Sequence, residues 1–197
     1  MTEDIIANAI RVVNEGGIII YPTDTAFGIG CRIDNEKSVD KLFRIRKRPL
    51  AQATPVLVSS ATQALAYLDA PKDIVRHLME AYWPGALTII ARCKTELIYS
   101  PIRGGTDAIG VREPDHDIAR AIIGGVGVPI LGPSANFHGE KTPFTFEDLD
   151  PQLVALADFT VPGQCFAGNV STVLDTTTYP ISIKRQGAVV IPPEVLQ

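Results

Sequence analysis

Most of the residues that build familiar reactive centres are scarce in this chain or badly spaced for the task. It has three cysteines, Cys31, Cys93 and Cys165, far apart and in no CxxC pair. Neither a disulfide frame nor a structural zinc site is expected from them, and they read as reduced thiols of a cytoplasmic protein. Its three histidines, His77, His116 and His138, show no HExxH or paired metal-binding spacing. There is no GxxxxGK[ST] loop and no GxGxxG after a strand, so any nucleotide must be held without the common glycine motifs. No apolar run of about 18 residues is present, so no membrane span is expected. The opening "MTEDIIANAI" is acidic and mixed, unlike a secretory signal. The formal net charge of −4 argues against a generally basic nucleic-acid surface, though not against a local basic pocket.

What is present suits a core-forming enzyme. Of the 197 residues, 46% are hydrophobic, enough for a substantial interior. The 15 prolines and 16 glycines are spread along the chain, as in a loop-rich enzyme. The spacing of Ile5, Ile6, Ala9, Ile10 and Val13 predicts a helix over 3–15, stopped by Gly16 and Gly17. Helices are also predicted over 36–45, near 61–68, over 74–82 and over 115–123. Strands are predicted over 18–21, 54–60, 86–92, 107–112, 127–131, 171–175 and 181–185, the last two paired. Helices and strands do not alternate strictly. The expected fold class is therefore α/β, one domain over 1–197 with a twisted, mixed sheet.

Four polar segments fall at predicted strand or helix ends, where α/β proteins commonly place ligands. In "YPTDT" (21–25), Thr23 and Thr25 share a side if the chain is extended, and Gly28 and Gly30 would admit a ligand close to backbone. A turn that satisfies its own amides explains the same residues equally well. In "RIRKRP" (44–49), Arg46 and Arg48 share a face if the chain is extended, and guanidinium groups suit phosphate or carboxylate oxygens. A solvated helix end is the plainer explanation of an isolated basic cluster. In "GPSANFHG" (132–139), Ser134 and Asn136 could hold phosphate oxygens or a base edge, or merely cap a helix. Arg112, Ser171, Thr172 and Arg185 also sit at strand ends. Of the histidines, His77 reads as solvent-facing and His116 as a helix cap, which leaves His138 as the one to watch.

Taken together, "GGIIIYPTDTAFGIGC", "LFRIRKRP", "YWPGALTII", "IGVREPDHDIA", "GVPILGPSANFHG" and "STVLD" followed by "IKRQGAV" resemble the YrdC-like family of threonylcarbamoyl-AMP synthases, from about residue 5 to residue 187. The resemblance implies an α/β sheet structure curled around a deep, positively charged cavity. It implies the short, single-domain type and an L-threonylcarbamoyladenylate synthase, a nucleotidyltransferase. Such enzymes join L-threonine, bicarbonate or carbon dioxide, and ATP, and release pyrophosphate. Mg²⁺ would accompany the ATP. A downstream tRNA threonylcarbamoyl-transferase complex would consume the product to form N6-threonylcarbamoyladenosine at tRNA position 37.

By the same resemblance Arg46, Arg48, Ser134 and Asn136 match the catalytic motifs. Thr25, Arg112 and Ser171 match the threonine site. Arg48, Gln52, Ser134, Thr142 and Arg185 match the ATP contacts, and no metal ligand is assigned. The family's usual lysine is Arg46 here, which keeps the charge but changes its shape. Paralogues of unsettled activity lack an intact Ser-x-Asn segment, which this chain has. The competing expectations are a nucleotide-binding paralogue with another acceptor, and a protein that binds tRNA or double-stranded RNA.

Overall fold

The structure is a computed structural model that describes residues 2–196. Helix α1 (Thr2–Asn14) leads into strands β1 (Ile19–Tyr21) and β2 (Gly28–Gly30). Helix α2 (Glu36–Ile45), strand β3 (Val56–Leu57), and helices α3 (Ala61–Tyr67) and α4 (Asp73–Tyr82) follow. Strands β4 (Leu87–Arg92) and β5 (Ala108–Arg112) flank a 3-10 turn at Ser100–Arg103. Then come helix α5 (Asp117–Val126), strand β6 (Ile130–Leu131), helix α6 (Pro151–Leu156), and strands β7 (Phe159–Thr160), β8 (Thr172–Asp175) and β9 (Ser182–Arg185). A final 3-10 turn spans Pro193–Leu196.

The mixed α/β expectation holds, but the single sheet becomes two among the described residues. One has the order β2-β1-β7 and the other β6-β3-β5-β4-β8-β9. The larger sheet mixes parallel pairs, β3 with β5 and β4 with β8, with antiparallel ones that include the expected β8–β9 pair. The seam between the sheets is an irregular antiparallel run. Ile29 N donates to Pro133 O at 3.0 Å, Leu131 N to Cys31 O at 2.9 Å, and Ala135 N to Phe27 O at 2.8 Å. Pro129 and Pro133 supply only carbonyls here, because proline has no N–H. Two of the donors a regular ladder would use are missing, and the sheet divides at that point.

Strand β2 was not foreseen, because its glycines read as ligand-facing loop. The structure gives them a different reason. A Cβ on Gly28 would lie 3.0 Å from the Tyr21 ring, and one on Gly30 would lie 2.2 Å from the carbonyl of Leu131. The glycines let β2 pack under Tyr21, whose hydroxyl donates to Leu131 O at 2.8 Å across the seam. Strands β3 and β6 are shorter than predicted. Helix α6 and strand β7 were also unforeseen.

Two apolar clusters hold the frame. The larger gathers Phe27, Phe43, Leu42, Leu87, Ile109 and Leu174 beneath the sheets. The smaller joins α1 to α5 through Ala9, Val13, Ile122 and Ile123. Gly125 makes that crossing close, since a Cβ there would meet Ile10 Cδ1 at 2.3 Å. A mid-helix glycine costs about 1 kcal/mol of propensity, which the burial of Ile10 against α5 offsets.

Candidate active site

The YPTDT segment is bent rather than extended. The Thr23 hydroxyl accepts from Thr25 N and Ala26 N, both at 3.2 Å, and donates to Ala26 O at 2.7 Å. The local-turn explanation therefore accounts for Thr23. Thr25 escapes it. Its Oγ1 lies 3.0 Å from Thr23 Oγ1 and accepts from Arg112 Nη1 at 2.7 Å. Arg112 ends β5 and is 5% exposed. It also donates through Nε to Gly85 O at 3.0 Å and through Nη2 to the carboxylate of Asp24.

The basic segment is not extended either. Helix α2 begins at Asn35, whose side chain accepts from Ser38 N at 3.2 Å. It buries Val39, Leu42 and Phe43 and ends in a left-handed turn at Lys47, with φ of +53°. Lys47 N bonds Arg44 O at 3.0 Å and Arg48 N bonds Phe43 O at 2.9 Å. This is the paired-bond helix ending that glycine usually supplies. The turn, not strand alternation, brings Arg46 and Arg48 to one place. Lys47 Nζ sits 4.8 Å above the Phe137 ring and so fastens the turn to the 134–138 loop.

That loop is also held by Arg46, whose Nε donates to Asn136 O at 3.0 Å and Nη2 to Asn136 Oδ1 at 3.3 Å. Ser134 Oγ donates to the same Oδ1 at 2.5 Å. The Asn136 amide nitrogen donates to Phe137 O at 3.0 Å and Glu140 O at 2.7 Å. Asn136 is thus a buried tie that fixes Arg46 and Ser134. Arg48 donates through Nε to Gln52 O at 3.1 Å and through Nη2 to Ala53 O. It is the main chain of Gln52 that the structure engages, while its side chain is exposed.

A third cluster lies on β4, β8 and β9. Arg185 donates to Ser171 O and Ser171 Oγ, both at 3.0 Å. Ser171 Oγ is also 2.9 Å from Thr88 Oγ1. Thr88 is 4% exposed and was missed by the sequence reading. The signal was available, since a lone hydroxyl in the apolar run "ALTIIA" asks for a buried partner.

These clusters meet around one cavity of about 180 Å³. Arg46, Arg48, Arg112 and Arg185 all line it, as do Thr25, Thr88, Ser134, Thr142 and Ser171. Its apolar wall comes from Phe27, Leu57, Pro133 and Val170. Gln52 and Asn136 are not among the lining residues. No histidine is either. His138 is exposed, and His116 caps α5 and contacts Gln164 O at 3.1 Å.

No carboxylate lines the cavity. Burial pushes the Arg46 guanidinium down to about 10, with the charge of Arg48 adding to the effect. Burial lowers Arg48 and Arg112, the latter despite Asp24. Arg185 is lowered by burial and then by the charge of Arg112. All four remain cations at neutral pH. Arg46 Nη1 is buried with no hydrogen-bond partner among the described residues. Positive charge taken out of water and left without counter-charge is relieved by an incoming anion.

Comparison with known proteins finds relatives along most of the chain. The profile of a protein family described as Sua5_yciO_yrdC, telomere recombination, matches residues 11–187. A threonylcarbamoyl-AMP synthase of Bacillus subtilis is 32% identical over 173 residues, covering 86% of this chain and 49% of the relative. Another, from Pyrococcus abyssi, is 30% identical over 183 residues, covering 91% of this chain and 53% of the relative. The chain therefore spans about half the length of these two relatives. The crystal structure of P. abyssi Sua5 complexed with L-threonine superposes with a TM-score of 0.87 at 27% identity, covering 95% of this chain and 55% of that one. The structure of Escherichia coli YciO gives 0.83 at 25% identity, covering 100% of this chain and 94% of that one.

Proposed function

We propose, from the premise that the chain belongs to the Sua5/YciO/YrdC family, that it is an L-threonylcarbamoyladenylate synthase. It would form threonylcarbamoyl-AMP and pyrophosphate from L-threonine, bicarbonate or carbon dioxide, and ATP. One observation carries the reading beyond family membership: among the described residues, four arginines and no carboxylate line a single cavity.

The chemistry needs this arrangement. The threonine amine adds to carbon dioxide, loses a proton and becomes a carbamate. A carbamate oxygen then attacks the α-phosphorus of ATP, and pyrophosphate leaves with the electron pair of the broken P–O bond. Both reactants are anions. A guanidinium about 4 Å from an anion contributes roughly 4 kcal/mol of gross attraction at an effective dielectric near 20. Fixed cations that need no rearrangement are the effective way to stabilise charge that builds up in the transition state.

In this reading Thr25, Arg112 and Ser171 hold the amino acid. Arg46, Arg48, Ser134, Thr142 and Arg185 receive the ATP, Arg185 from beside Ser171. Asn136 acts as a positioning residue that orients Arg46 and Ser134. Mg²⁺ would arrive with ATP, held by phosphate oxygens and water. The product would pass to the transferase complex that modifies tRNA position 37 in the cytoplasm. Among the described residues no helix is long and apolar enough to cross a membrane.

Pyrophosphate release with ATP, Mg²⁺ and bicarbonate, with and without L-threonine, tests the reading. Threonine-dependent release that disappears in Arg48→Ala is the expected result. Release indifferent to threonine would overturn it. That outcome would favour a second reading, a nucleotide-binding relative with a different acceptor. An RNA-binding role is less well supported, because Arg46 of the basic cluster is only 3% exposed and so adds nothing to an outward face.

A further inference from the structure

We propose that Asp24 is a specificity-determining residue: it neutralises Arg112, so that this end of the cavity takes a zwitterionic amino acid and rejects polyanions. The inference rests on the reading above that an amino acid binds at Arg112.

The argument begins with charge placement. Asp24 is 8% exposed and pairs with Arg112 Nη2, yet it is not among the residues lining the cavity. Arg46, Arg48 and Arg185 have no ion pair of this kind among the described residues; their guanidiniums meet carbonyl and hydroxyl or amide oxygens instead. The four lining cations are therefore not equivalent. Three are uncompensated, and one carries its own counter-ion outside the wall.

Asp24 is also fixed in place. Its main-chain carbonyl accepts from Phe166 N at 3.0 Å and Ala167 N at 2.8 Å, which ties it to the strap leading to Ser171. Arg112 commits one N–H each to Asp24, Thr25 and Gly85. A guanidinium has five, so two remain for a ligand. Those two donors are enough to meet a ligand carboxylate. With Asp24 present the charge of Arg112 is cancelled and Arg185, bonded to Ser171, is the one uncompensated cation at this end among the described residues, which suits a zwitterionic amino acid better than a polyanion. Without it, Arg112 and Arg185 would extend the cationic wall from Arg46 through the whole cavity. A phosphate chain could then lie in either direction, and phosphate could occupy the amino-acid end. Asp24 thus gives the cavity a direction.

Sulfate is the probe for bare anions. L-Threonine binding to the full chain is measured by calorimetry without ATP, with sulfate or with sodium chloride at matched ionic strength. A parallel titration measures ATP binding. In the wild type, sulfate should weaken ATP binding and leave the threonine Kd within about twofold of the chloride control. In Asp24→Asn, the same sulfate should raise the apparent threonine Kd about tenfold or more, the size of a lost neighbouring opposite charge. Sulfate that competes with threonine in the wild type overturns the inference, as does a folded Asp24→Asn protein without sulfate sensitivity. Asp24→Ser repeats the measurement if the asparagine variant does not fold, and the wild-type titration decides the matter if neither does. A wild type that binds no threonine overturns the proposed function and this inference with it. Threonine binding that sulfate weakens equally in wild type and variant overturns this inference alone.

Discussion

The two ends of the cavity bury arginine in opposite ways. Arg112 lies against a carboxylate, a threonine hydroxyl and a carbonyl, so its charge is answered within the protein. Arg46 is buried just as deeply but is met only by the oxygens of Asn136, with one nitrogen unpaired. Folding can build the first arrangement for its own stability. The second costs desolvation that the two bonds to Asn136 return only in part, and an incoming anion would offset the rest.

The sharpest way to break this comparison is to remove each charge in turn. Arg112→Met strands Asp24 in a buried place and should cost about 3–5 kcal/mol of stability. Arg46→Met removes a cation that has no carboxylate but leaves Asn136 O without its donor, so it should cost about 1–3 kcal/mol, less than Arg112→Met. Its turnover should nonetheless fall on the order of a hundredfold to a thousandfold, the usual effect of deleting one preorganised donor. Urea midpoints and pyrophosphate release read the two quantities separately. Equal destabilisation by both variants would show that the two ends do not differ as argued.

A smaller effect tests how the bare end is assembled. Lys47 holds a left-handed conformation between Arg46 and Arg48. A β-branched residue there should cost about 1–2 kcal/mol and misplace both arginines. Lys47→Val is therefore expected to raise KM for ATP and to lower kcat/KM on the order of tenfold to a hundredfold. Lys47→Gly adopts the same turn freely. It should stay within about 1 kcal/mol of the wild type even though it loses the contact with the Phe137 ring. If glycine fails as badly as valine, the amine of Lys47 matters and its backbone does not.

Much of this frame was legible in the sequence because it rests on local rules. Helix α2 runs over 36–45 as its apolar spacing predicts, and His116 caps α5 as its position suggests. Helix α6 could have been read from Asp150 and Pro151, a cap followed by a first-turn proline. Strand β2 could not, because the reason for Gly28 and Gly30 lies on Tyr21, their neighbour only once β1 and β2 pair, and on Leu131 across the seam. The site divides in the same way. The polar segments were visible at element ends, and most of the residues chosen there do line one cavity. Their geometry was not, because the bends at Thr23 and Lys47 replace the alternation of an extended chain. Asn136, chosen for its chemistry, and Gln52, matched only through the family resemblance, are not among the lining residues, because neither ground shows which way a side chain is turned.

The smallest effect supplies the control for the buried pair. Asp158 and Lys41 also form an ion pair, at 2.8 Å, but their side chains are 40% and 41% exposed. Burial raises the Asp158 carboxyl, yet the bonds from Lys41 and Ile18 N outweigh it and leave the group below its usual value. A carboxyl depressed in the folded state contributes stability above its unfolded value, and that contribution is lost as pH falls through the folded value. Asp158→Asn should therefore lower stability at neutral pH by no more than about 1 kcal/mol. The gap to wild type should close as the pH is lowered through the acid range. The ion-pair part of it should also shrink at 1 M salt, where the Debye length is about 3 Å. The loss in Arg112→Met should persist in salt, because the Arg112 and Asp24 side chains are only 6% and 12% exposed and a buried pair is screened much less. A salt response of equal size in both variants would mean that the Asp24–Arg112 pair is screened like a surface one, and the neutral end of the cavity would lose its physical basis.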